Sequence, residues 1–388
     1  MISLFNKSKA TVKLIVYAKA ICKRKSYYPD EPHKTTWQVF CDQLSFIWKY
    51  GGMERYYFPY GFDRKSMDRK KICDDYIVYE NAFLNKMFKS NNYFDRKNKI
   101  CSANCIVSDK FYFYLFLKSL NFPTPKILYY TKNGKLFYDE YHHGEEISSI
   151  LNYDIDAFAK QMEGQLGDGA FAIKIQDSKV YVNNELVSST NDLLKTFTDS
   201  SYIIEERIIQ HPELNKLCST AVNTIRLVTL ITPNEEIITV RAGLRIGREG
   251  NCVDNCAKGG IYVGIDLNTG KLMKKGIIKP THGKPLYQQP DKGKVVYQQP
   301  DNGVVFEGFE IPFFKEAMEM TKDLHSKLYR IHSVGWDIAI SPDGPVIIEG
   351  NSLWEVSGTQ STVGGLKYVE KYFPELGKIN PSPFIAID

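Results

Sequence analysis

The sequence predicts a globular α+β protein in which helices accompany strands joined by tight turns. The chain has 388 residues, 43% of them apolar and 24% charged, a composition typical of folded proteins and unlike that of disordered, collagen-like or coiled-coil chains. Helical periodicity is clear over 38–50 and 312–331. Hairpin turns are indicated at Asn133-Gly134 and Asn183-Asn184. The length favours two or three domains.

We divide the chain into three regions. Residues 1–105 are basic and rich in tyrosine, and their aromatic turn, Tyr56–Gly61, is interpreted as packing against the next domain. Residues 106–200 open with a helix predicted to start at Ser108, whose hydroxyl is suited to capping free backbone N–H groups, and continue in short strands. Residues 201–388 begin with a stretch richer in strand signals.

Charge and targeting signals exclude several classes of protein. Lys and Arg (50) exceed Asp and Glu (45) by only five, which fits a phosphate-bearing ligand and does not fit a DNA-coating protein. The apolar run 14–18 is too short for a membrane span or a secretory signal, so we expect a cytoplasmic protein with reduced thiols. The basic region 1–105 is a candidate surface for a membrane or a glycosyltransferase partner, without a strong amphipathic stripe. The repeated sequence within 287–303 is predicted to be a surface loop, and the oligomeric state is left open.

The sharpest local signal is a predicted hairpin near the C-terminal end. Two β-rich runs flank the turn formers at 341–345. If Ile340 pairs with Val346, then Asp337 lies opposite Glu349, and directly opposed residues have Cβ atoms roughly 4.5–5.5 Å apart on one face of a sheet.

Two like charges in this position would destabilise the hairpin unless something neutralises them. A divalent cation would do so, and Asn351 adds a third oxygen donor on the same face as Asp337 and Glu349. An oxygen-only set favours Mg²⁺ or Mn²⁺ over zinc. The alternative is that one carboxylate is protonated or paired with Lys or Arg.

Other segments are suited to gripping phosphate. The loop 164–169 is rich in glycine, which lets backbone N–H groups approach phosphate oxygens, although a simple β-turn explains it equally well. Lys110, Lys160 and Lys174 are each able to place a point charge on a phosphate. Arginines at strand ends near a cleft act as anion clamps, and Arg226 and Arg245 are in such positions. The strand 202–208 carries two carboxylates and is interpreted either as an adenine and ribose contact or as an edge strand with a solvated end.

Taken in order, these pieces resemble the ATP-grasp superfamily, and most closely the sugar-transfer-associated ATP-grasp family, whose relatives are similar to alpha-L-glutamate ligases. The resemblance covers roughly residues 100–370. It rests on stretches spread along this whole range, namely 108–110 with 123–125, Lys160 with 164–169, 204–208 with 210–213, 223–226, 244–247, 253–255 with 259–260, 334–337 and 349–351.

The resemblance implies two α+β lobes clamping ATP between antiparallel sheets. Lys110 and Lys160 would hold the α- and β-phosphates, with Lys174 as the alternative because Gln161 follows Lys160 where the family usually has Pro. The loop would cover the triphosphate through Gly164, Gly167 and Gly169. The adenine and ribose pocket would be lined by Glu205, Glu206, Ile208 and Glu213. Asp337, Glu349 and Asn351 would hold one or two Mg²⁺ ions.

The implied activity is that of an amide-forming ligase. The γ-phosphoryl group of ATP passes to a substrate carboxylate, and an amine or amino acid then attacks the acyl phosphate. Arg226 and Arg245 are the candidates for gripping the γ-phosphate and the acyl phosphate. The expected partners are a carboxylate-bearing sugar or glycan and an amine, with no nucleic acid. The alternatives are a kinase or phosphotransferase on the same fold, and a non-catalytic nucleotide-binding partner of a glycosyltransferase complex.

Overall fold

The computed structural model shows helices and two antiparallel sheets, which confirms the predicted α+β class. The described residues are 4–22, 26–138, 144–162, 169–254, 259–279 and 293–373. Two of the predicted phosphate-loop residues, Gly164 and Gly167, lie outside the described residues, as does the segment 287–292 of the repeat.

The N-terminal region is helical in its described part. Thr35 caps the second helix, because its hydroxyl accepts from the Gln38 backbone N–H (3.3 Å) while the Gln38 side chain accepts from the Thr35 N–H (2.8 Å). Gly51 ends that helix with φ +98°, a conformation that glycine adopts without strain. The helices are α1 (Leu4–Cys22), α2 (Thr36–Tyr50), α3 (Arg69–Asp75), α4 (Glu80–Asn91) and α5 (Tyr93–Lys97).

The helix predicted from Ser108 begins two residues later. Ser108 ends α6 (Cys105–Ser108), and α7 (Lys110–Ser119) follows. Asp109 is the N-cap, and its carboxylate accepts hydrogen bonds from the backbone N–H groups of Phe111 (2.9 Å) and Tyr112 (3.0 Å). The carboxylate satisfies two free N–H groups at once, so the cap falls on Asp109 and not on Ser108.

The first sheet is antiparallel, with strand order β3-β2-β1-β8-β4-β5-β6-β7. Both predicted hairpin tips are confirmed, since Asn133-Gly134 and Asn183-Asn184 join adjacent strands with positive φ angles. The sheet extends to Glu206, six residues past the predicted division at residue 200. Its strands are β1 (Ile127–Lys132), β2 (Lys135–Phe137), β3 (Glu145–Glu146), β4 (Ile155–Gln161), β5 (Phe171–Gln176), β6 (Lys179–Val182), β7 (Glu185–Leu186) and β8 (Tyr202–Glu206), and helix α8 (Asn191–Asp199) precedes β8.

The second sheet has strand order β13-β12-β11-β10-β9-β14-β15. The apolar face of α10 (Phe314–Ser326) is buried in the same core as this sheet, as the periodicity over 312–331 predicts. The short helices α9 (Pro212–Asn215) and α11 (Ser357–Thr362) flank the sheet in sequence. Its strands are β9 (Thr224–Ile231), β10 (Ile237–Ile246), β11 (Ile261–Ile265), β12 (Leu272–Ile278), β13 (Lys294–Val296), β14 (Ser333–Ser341) and β15 (Gly344–Asn351).

The β14–β15 hairpin confirms the predicted pairing of Asp337 with Glu349, but by a different path. Ile340 pairs with Pro345 and not with Val346, because the turn is tighter than predicted. A bulge next to Asp337 leaves Ile348 without a partner and restores the register beyond it. The one-residue slip and the one-residue bulge therefore cancel at the carboxylates.

The aromatic N-terminal segment packs on the second sheet, which supports its interpretation as a packing element. Tyr57 and Phe62 are fully buried and share one hydrophobic cluster with Tyr262 of β11 and Ile277 of β12. This contact fixes residues 51–62 beside one face of the sheet. Among the described residues, no helix combines the length and apolarity needed to cross a bilayer.

The described copy of the repeat, 297–303, has a structural role that the surface-loop prediction missed. Gln299 is 1% exposed and donates to the backbone carbonyls of Leu217 (2.9 Å) and Gly247 (3.0 Å). Asp301 forms an ion pair with Arg248 (2.7 Å). These bonds tie the segment that follows α9 to the end of β10.

Candidate functional site

A cavity of about 870 Å³ is lined by both sheets and by the N-terminal helical region. This volume is in the range of about 300–1,000 Å³ that small-molecule sites occupy. The cavity gathers most of the described site residues that the sequence predicts, together with several that it does not. The lining residues discussed below are Lys110, Lys160, Glu205, Glu206, Ile208, Arg226, Arg245, Asp254, Asp337, Glu349 and Asn351, and from other segments Arg55, Tyr56, Glu80, Lys279 and Glu355.

One row of residues crosses the second sheet at the cavity. Gly243 of β10 pairs with Arg226 of β9, Arg226 pairs with Asp337 of β14, and Asp337 pairs with Glu349 of β15. Directly paired residues point to the same face of a sheet. Gly243 leaves the space that the Tyr262 ring fills, since a Cβ there would lie 2.3 Å from the ring. The sheet thus presents one guanidinium beside two neighbouring carboxylates, with Asp337 next to Arg226 and Glu349 beyond it.

Asp337 is neutralised by arginine, so the premise that the opposed carboxylates need a cation is wrong. Arg226 binds it twice, with Nε 2.5 Å from Oδ1 and Nη2 3.1 Å from Oδ2. Arg245 adds a third contact, with Nη2 3.1 Å from Oδ2. Burial raises the pKa of Asp337, but the two guanidinium groups outweigh burial and hold the pKa below its usual value. The alternative, in which a carboxylate pairs with Lys or Arg, is the one found for Asp337, and the two arginines come from β9 and β10 on the other side of β14.

A second carboxylate, Asp254, lies beside Arg245. It accepts from the backbone N–H of Thr224 (2.9 Å) and from the Thr224 hydroxyl, and its Oδ2 lies 3.5 Å from Nε of Arg245. The Thr224 hydroxyl also accepts from Arg245 Nε (2.9 Å) and Nη2 (2.8 Å). Burial raises the pKa of Asp254, and the charge on Arg245 partly offsets this rise. These contacts fix the orientation of the Arg245 side chain, which lines the cavity.

Glu349 and Asn351 make fewer contacts than Asp337, the third residue of the predicted metal site. The Glu349 side chain is 35% exposed, and its Oε1 lies 3.8 Å from Nζ of Lys110. Nδ2 of Asn351 is buried and makes no hydrogen bond within the described structure. In the part of the chain that the structure describes, no three His, Cys, Asp or Glu side chains form a metal-binding group. Mg²⁺ is usually held by one or two carboxylates plus substrate phosphates, so an oxygen set of this size fits a nucleotide-bound magnesium ion.

The first sheet contributes a lysine–glutamate pair. Nζ of Lys160 on β4 lies 2.5 Å from Oε2 of Glu205 on β8, and both side chains are largely buried. Lys160 pairs with Ile203 in the sheet, so Glu205 is its diagonal neighbour on the same face. Lys174, the alternative phosphate lysine, is exposed on β5 and does not line the cavity.

The remaining predicted nucleotide contacts divide into two groups. Glu206 and Ile208 line the cavity, and the Glu206 carboxylate accepts from the Lys126 backbone N–H (3.1 Å). Glu213 does not line it, and instead forms an exposed ion pair with Lys216 (2.8 Å). Gly169 has φ +70° and lies just outside the lining, beside Ala170.

Two residues of the matching stretches have a structural role. Gln210 and Asn223 are buried, and the Gln210 side-chain oxygen accepts from the Asn223 backbone N–H (2.6 Å). Asn223 also donates to the carbonyls of Leu214 and Cys218 and accepts from the Gly247 N–H (3.0 Å). This network sets the start of β9 and so the position of Arg226.

Five lining residues used below are not among the predicted site residues. Tyr56 was predicted only to pack, and Glu355 lies four residues beyond the predicted Glu349–Asn351 motif without a signal of its own. Nζ of Lys279 lies 2.5 Å from Oε1 of Glu355 although the two are 76 residues apart. No local pattern indicates a contact over that separation. The five residues are Arg55, Tyr56, Glu80, Lys279 and Glu355.

Comparison with known proteins places this site in a family context. The sequence pattern described as sugar-transfer associated ATP-grasp matches residues 89–370. Solved structures with a distant likeness include N5-carboxyaminoimidazole ribonucleotide synthetase in complex with ADP (11% identity, TM-score 0.36, covering 65% of this chain and 46% of that one). Another is D-alanine–D-alanine ligase from Bacillus anthracis complexed with ATP (12%, TM-score 0.34, 70% and 67%).

A third structure of this kind is N5-carboxyaminoimidazole synthase from Aspergillus clavatus with ADP and 5-aminoimidazole ribonucleotide (10%, TM-score 0.36, 69% and 52%). The chain spans about half the length of the two synthetase structures. No protein of curated function matches it. The family pattern covers well over half of the chain, from α4 to the segment after α11, and the chain therefore belongs to the sugar-transfer-associated ATP-grasp family.

Proposed function

We propose that this protein is an ATP-dependent carboxylate–amine ligase that works through an acyl phosphate and acts on a carboxylate-bearing precursor of a polysaccharide. The observation that carries the proposal is the convergence of two lysines, two arginines and an oxygen-donor set on one cavity between two sheets. Membership of an ATP-grasp family associated with sugar transfer supports both the nucleotide and the glycan.

The nucleotide is assigned to the first-sheet side of the cavity. Lys160 places positive charge there, and Lys110 of α7 places positive charge beside Glu349 of the second sheet, so the two would bind the α- and β-phosphates. Glu205, Glu206 and Ile208 would contact adenine and ribose. The loop glycines Gly164, Gly167 and Gly169 would cover the triphosphate. Glu213 lies away from the cavity, so it would reach the ribose only if its segment moved.

Glu349, Asn351 and Asp337 would hold Mg²⁺ with the phosphates. The ion would neutralise charge that develops on the transferred phosphoryl group. Asp337 already forms an ion pair with Arg226, so we expect Glu349 and Asn351 to be the primary protein ligands of the ion. Lys110, close to Glu349, would connect the ion site to the phosphates.

The arginines are assigned to the reacting end. Arg226 and Arg245 line the cavity and share Asp337 as a partner, and Asp254 lies beside Arg245. Guanidinium groups bind carboxylates and phosphates through paired hydrogen bonds, so we assign the substrate carboxylate and then its acyl phosphate to this position. Both guanidinium groups are largely buried, so they are shielded from water, which strengthens their interaction with a bound anion.

The test is ADP and phosphate release with ATP, Mg²⁺, uronic acids or uronic-acid oligosaccharides, and a panel of amines and amino acids. We expect turnover with at least one combination, and a loss of about 100-fold in Asp337→Asn. Asp343→Asn, an exposed position in the turn of the same hairpin, is the matched control.

Two results would overturn the ligase proposal. Stable transfer of the γ-phosphoryl group without free phosphate would identify a kinase. ATP binding with no turnover on any pair of substrates, and equal behaviour of both aspartate variants, would identify a non-catalytic nucleotide-binding protein.

A further inference from the structure

A separate part of the cavity is lined by residues outside the nucleotide and arginine positions. Arg55, Tyr56 and Glu80 come from the N-terminal region, before the stretch 89–370 that the family pattern matches. Lys279 follows β12, and Glu355 lies between β15 and α11. These five residues have no role in the proposed phosphoryl transfer.

These five residues form one wall of the cavity, and buried hydrogen bonds hold this wall in place. Glu54 is 1% exposed, and its carboxylate accepts from the backbone N–H groups of Tyr56 (2.8 Å) and Tyr79 (2.7 Å). Gln43 of α2 holds the Glu54 backbone with two further hydrogen bonds. One buried carboxylate thus fixes both the loop that carries Tyr56 and the start of the helix that carries Glu80.

Glu355 carries a fixed negative charge in this wall. It pairs with Lys279 at 2.5 Å, and Lys279 also donates to the Ser357 hydroxyl (2.7 Å). Burial raises the pKa of Glu355, but Lys279 and Ser357 outweigh burial and lower the pKa to about 2. Its side chain is 42% exposed, and it lines the cavity. The Tyr56 hydroxyl lies 3.5 Å from its Oε1.

Glu80 is a second carboxyl in the same wall. Its Oε1 accepts from the backbone N–H of Val356 (2.8 Å), next to Glu355, so the two carboxyls are neighbours. Lys279 pairs with Glu355, and the charge of Arg226 also acts on Glu355, whereas Glu80 forms no ion pair among the described residues. Glu80 is therefore the carboxyl of this wall that is open to a cationic ligand.

We propose that this wall is the subsite for the amine substrate, bound as an ammonium ion between Glu80 and Glu355, with Glu80 as the base that takes its proton. The proposal rests on the ligase function proposed above and names the half of the reaction that the arginines do not serve. Arg226 is close enough for its charge to act on Glu355, so the wall adjoins the position assigned to the acyl phosphate.

The step balances as follows. The ionised Glu80 takes one proton from the ammonium ion and frees the nitrogen lone pair. The nitrogen attacks the carbonyl carbon of the acyl phosphate, a C–N bond forms, and the C–O bond to phosphate breaks with its electrons on the phosphate oxygen. A second proton passes from nitrogen to phosphate. The products are the amide, hydrogen phosphate and protonated Glu80.

The titration of Glu80 agrees with this role. Burial and then the charge of Glu355 raise its pKa to about 8, so it is mostly neutral before the amine arrives. A bound ammonium ion would displace that proton and leave the carboxylate in place as a base. The groups that face Glu80 are Glu355, Lys279, Glu54, Tyr56 and Tyr60.

The first experiment measures binding, and it does not depend on turnover. L-alanine, ethanolamine and glucosamine, each beside its N-acetylated counterpart, are titrated into the full chain by calorimetry in two buffers of different ionisation enthalpy. We expect at least one amine to bind with release of a proton while its acetylated counterpart does not bind. Glu80→Gln, which keeps an oxygen for the Val356 N–H, should abolish the proton release, and Glu355→Gln should weaken amine binding by about tenfold. Glu319→Gln, exposed on α10, is the control.

The second experiment separates this inference from the ligase proposal. With ATP, Mg²⁺ and the carboxylate that gives turnover, hydroxylamine traps the acyl phosphate without needing a protein base. Glu80→Gln should leave hydroxamate formation unchanged and lower kcat with the amine by about 100-fold. Equal amine kinetics in wild type and Glu80→Gln, or binding by no amine while hydroxamate still forms, would overturn the amine subsite alone. Absence of hydroxamate with every carboxylate would overturn the ligase proposal, and proton-linked amine binding would still support this subsite.

Discussion

The two sheets present their charges to the cavity in different ways. On the first sheet, Lys160 faces one carboxylate, Glu205, in a one-to-one pair. On the second sheet, Arg226 and Arg245 share one carboxylate, Asp337, and a second carboxylate, Asp254, lies 3.5 Å from Arg245. A lysine holds its partner as a point charge on a flexible stem, whereas an arginine holds it in a rigid fork. The lysine pair is therefore suited to opening when a ligand enters, and the arginine cluster to remaining closed.

The largest expected effect is on the second sheet. Asp337→Ala leaves two guanidinium groups side by side in a largely buried place, and removing one partner of a buried ion pair costs about 3 kcal/mol or more. We expect the free energy of unfolding, measured by urea denaturation, to fall by about that amount. Asp343→Ala in the exposed turn should change it by no more than about 0.5 kcal/mol. Equal effects of the two substitutions would show that Asp337 is not the charge centre of this sheet.

The first sheet should respond chiefly in ligand binding. Lys160→Met removes the charge assigned to a phosphate, and losing a hydrogen bond to a charged group costs about 1.5–3 kcal/mol. We expect the Kd for ATP, measured by calorimetry, to rise about tenfold or more. Lys174→Met, the same change at an exposed position on the neighbouring strand β5, should leave the Kd unchanged. The reverse result would move the phosphate contact to Lys174.

A pH series extends the comparison to the wall that holds Glu80. The pKa of Glu80 is about 8 in the folded protein and near its usual value of 4.5 when the chain unfolds. Between these values the folded state binds more protons, so its contribution to stability falls as pH rises. The Tm of Glu80→Gln relative to wild type should therefore increase from pH 5 to pH 8, measured by thermal denaturation. A constant difference would contradict the raised pKa.

The smallest effect is expected outside the cavity. Glu213 forms an exposed ion pair with Lys216, and such pairs contribute about 0–1 kcal/mol. Glu213→Ala should change the free energy of unfolding by less than about 0.5 kcal/mol and leave the Kd for ATP unaltered. A higher Kd for ATP in Glu213→Ala would support the ribose contact that the family resemblance implies.

Local chemistry made much of the fold predictable. The hairpin tips at Asn133-Gly134 and Asn183-Asn184 follow from residues that tolerate positive φ, and the α10 face follows from its spacing. The pairing of Asp337 with Glu349 was predicted, but its bulge and tight turn were not, because backbone irregularities of one residue leave little trace in residue type.

The site was harder to predict where contacts join distant segments. Strand order decides that Arg226 lies beside Asp337, 111 residues away, and a hairpin considered alone does not contain that neighbour. The Lys279–Glu355 pair and Glu80 are in the same situation. The contacts of such residues depend on a neighbouring strand, so they can be predicted only when the strand order is known.

The double hydrogen bonding of Glu54 has a consequence for how this molecule is divided. Its carboxylate joins the Tyr56 loop to the start of α4, and both carry cavity residues. The stretch that the family pattern matches starts later, at residue 89. A chain cut at that position would keep the arginines and the hairpin carboxylates but would lose one side of its chamber. The boundary of the family match therefore crosses a single cavity, whose wall includes Arg55, Tyr56 and Glu80 from the upstream segment as well as residues of both sheets.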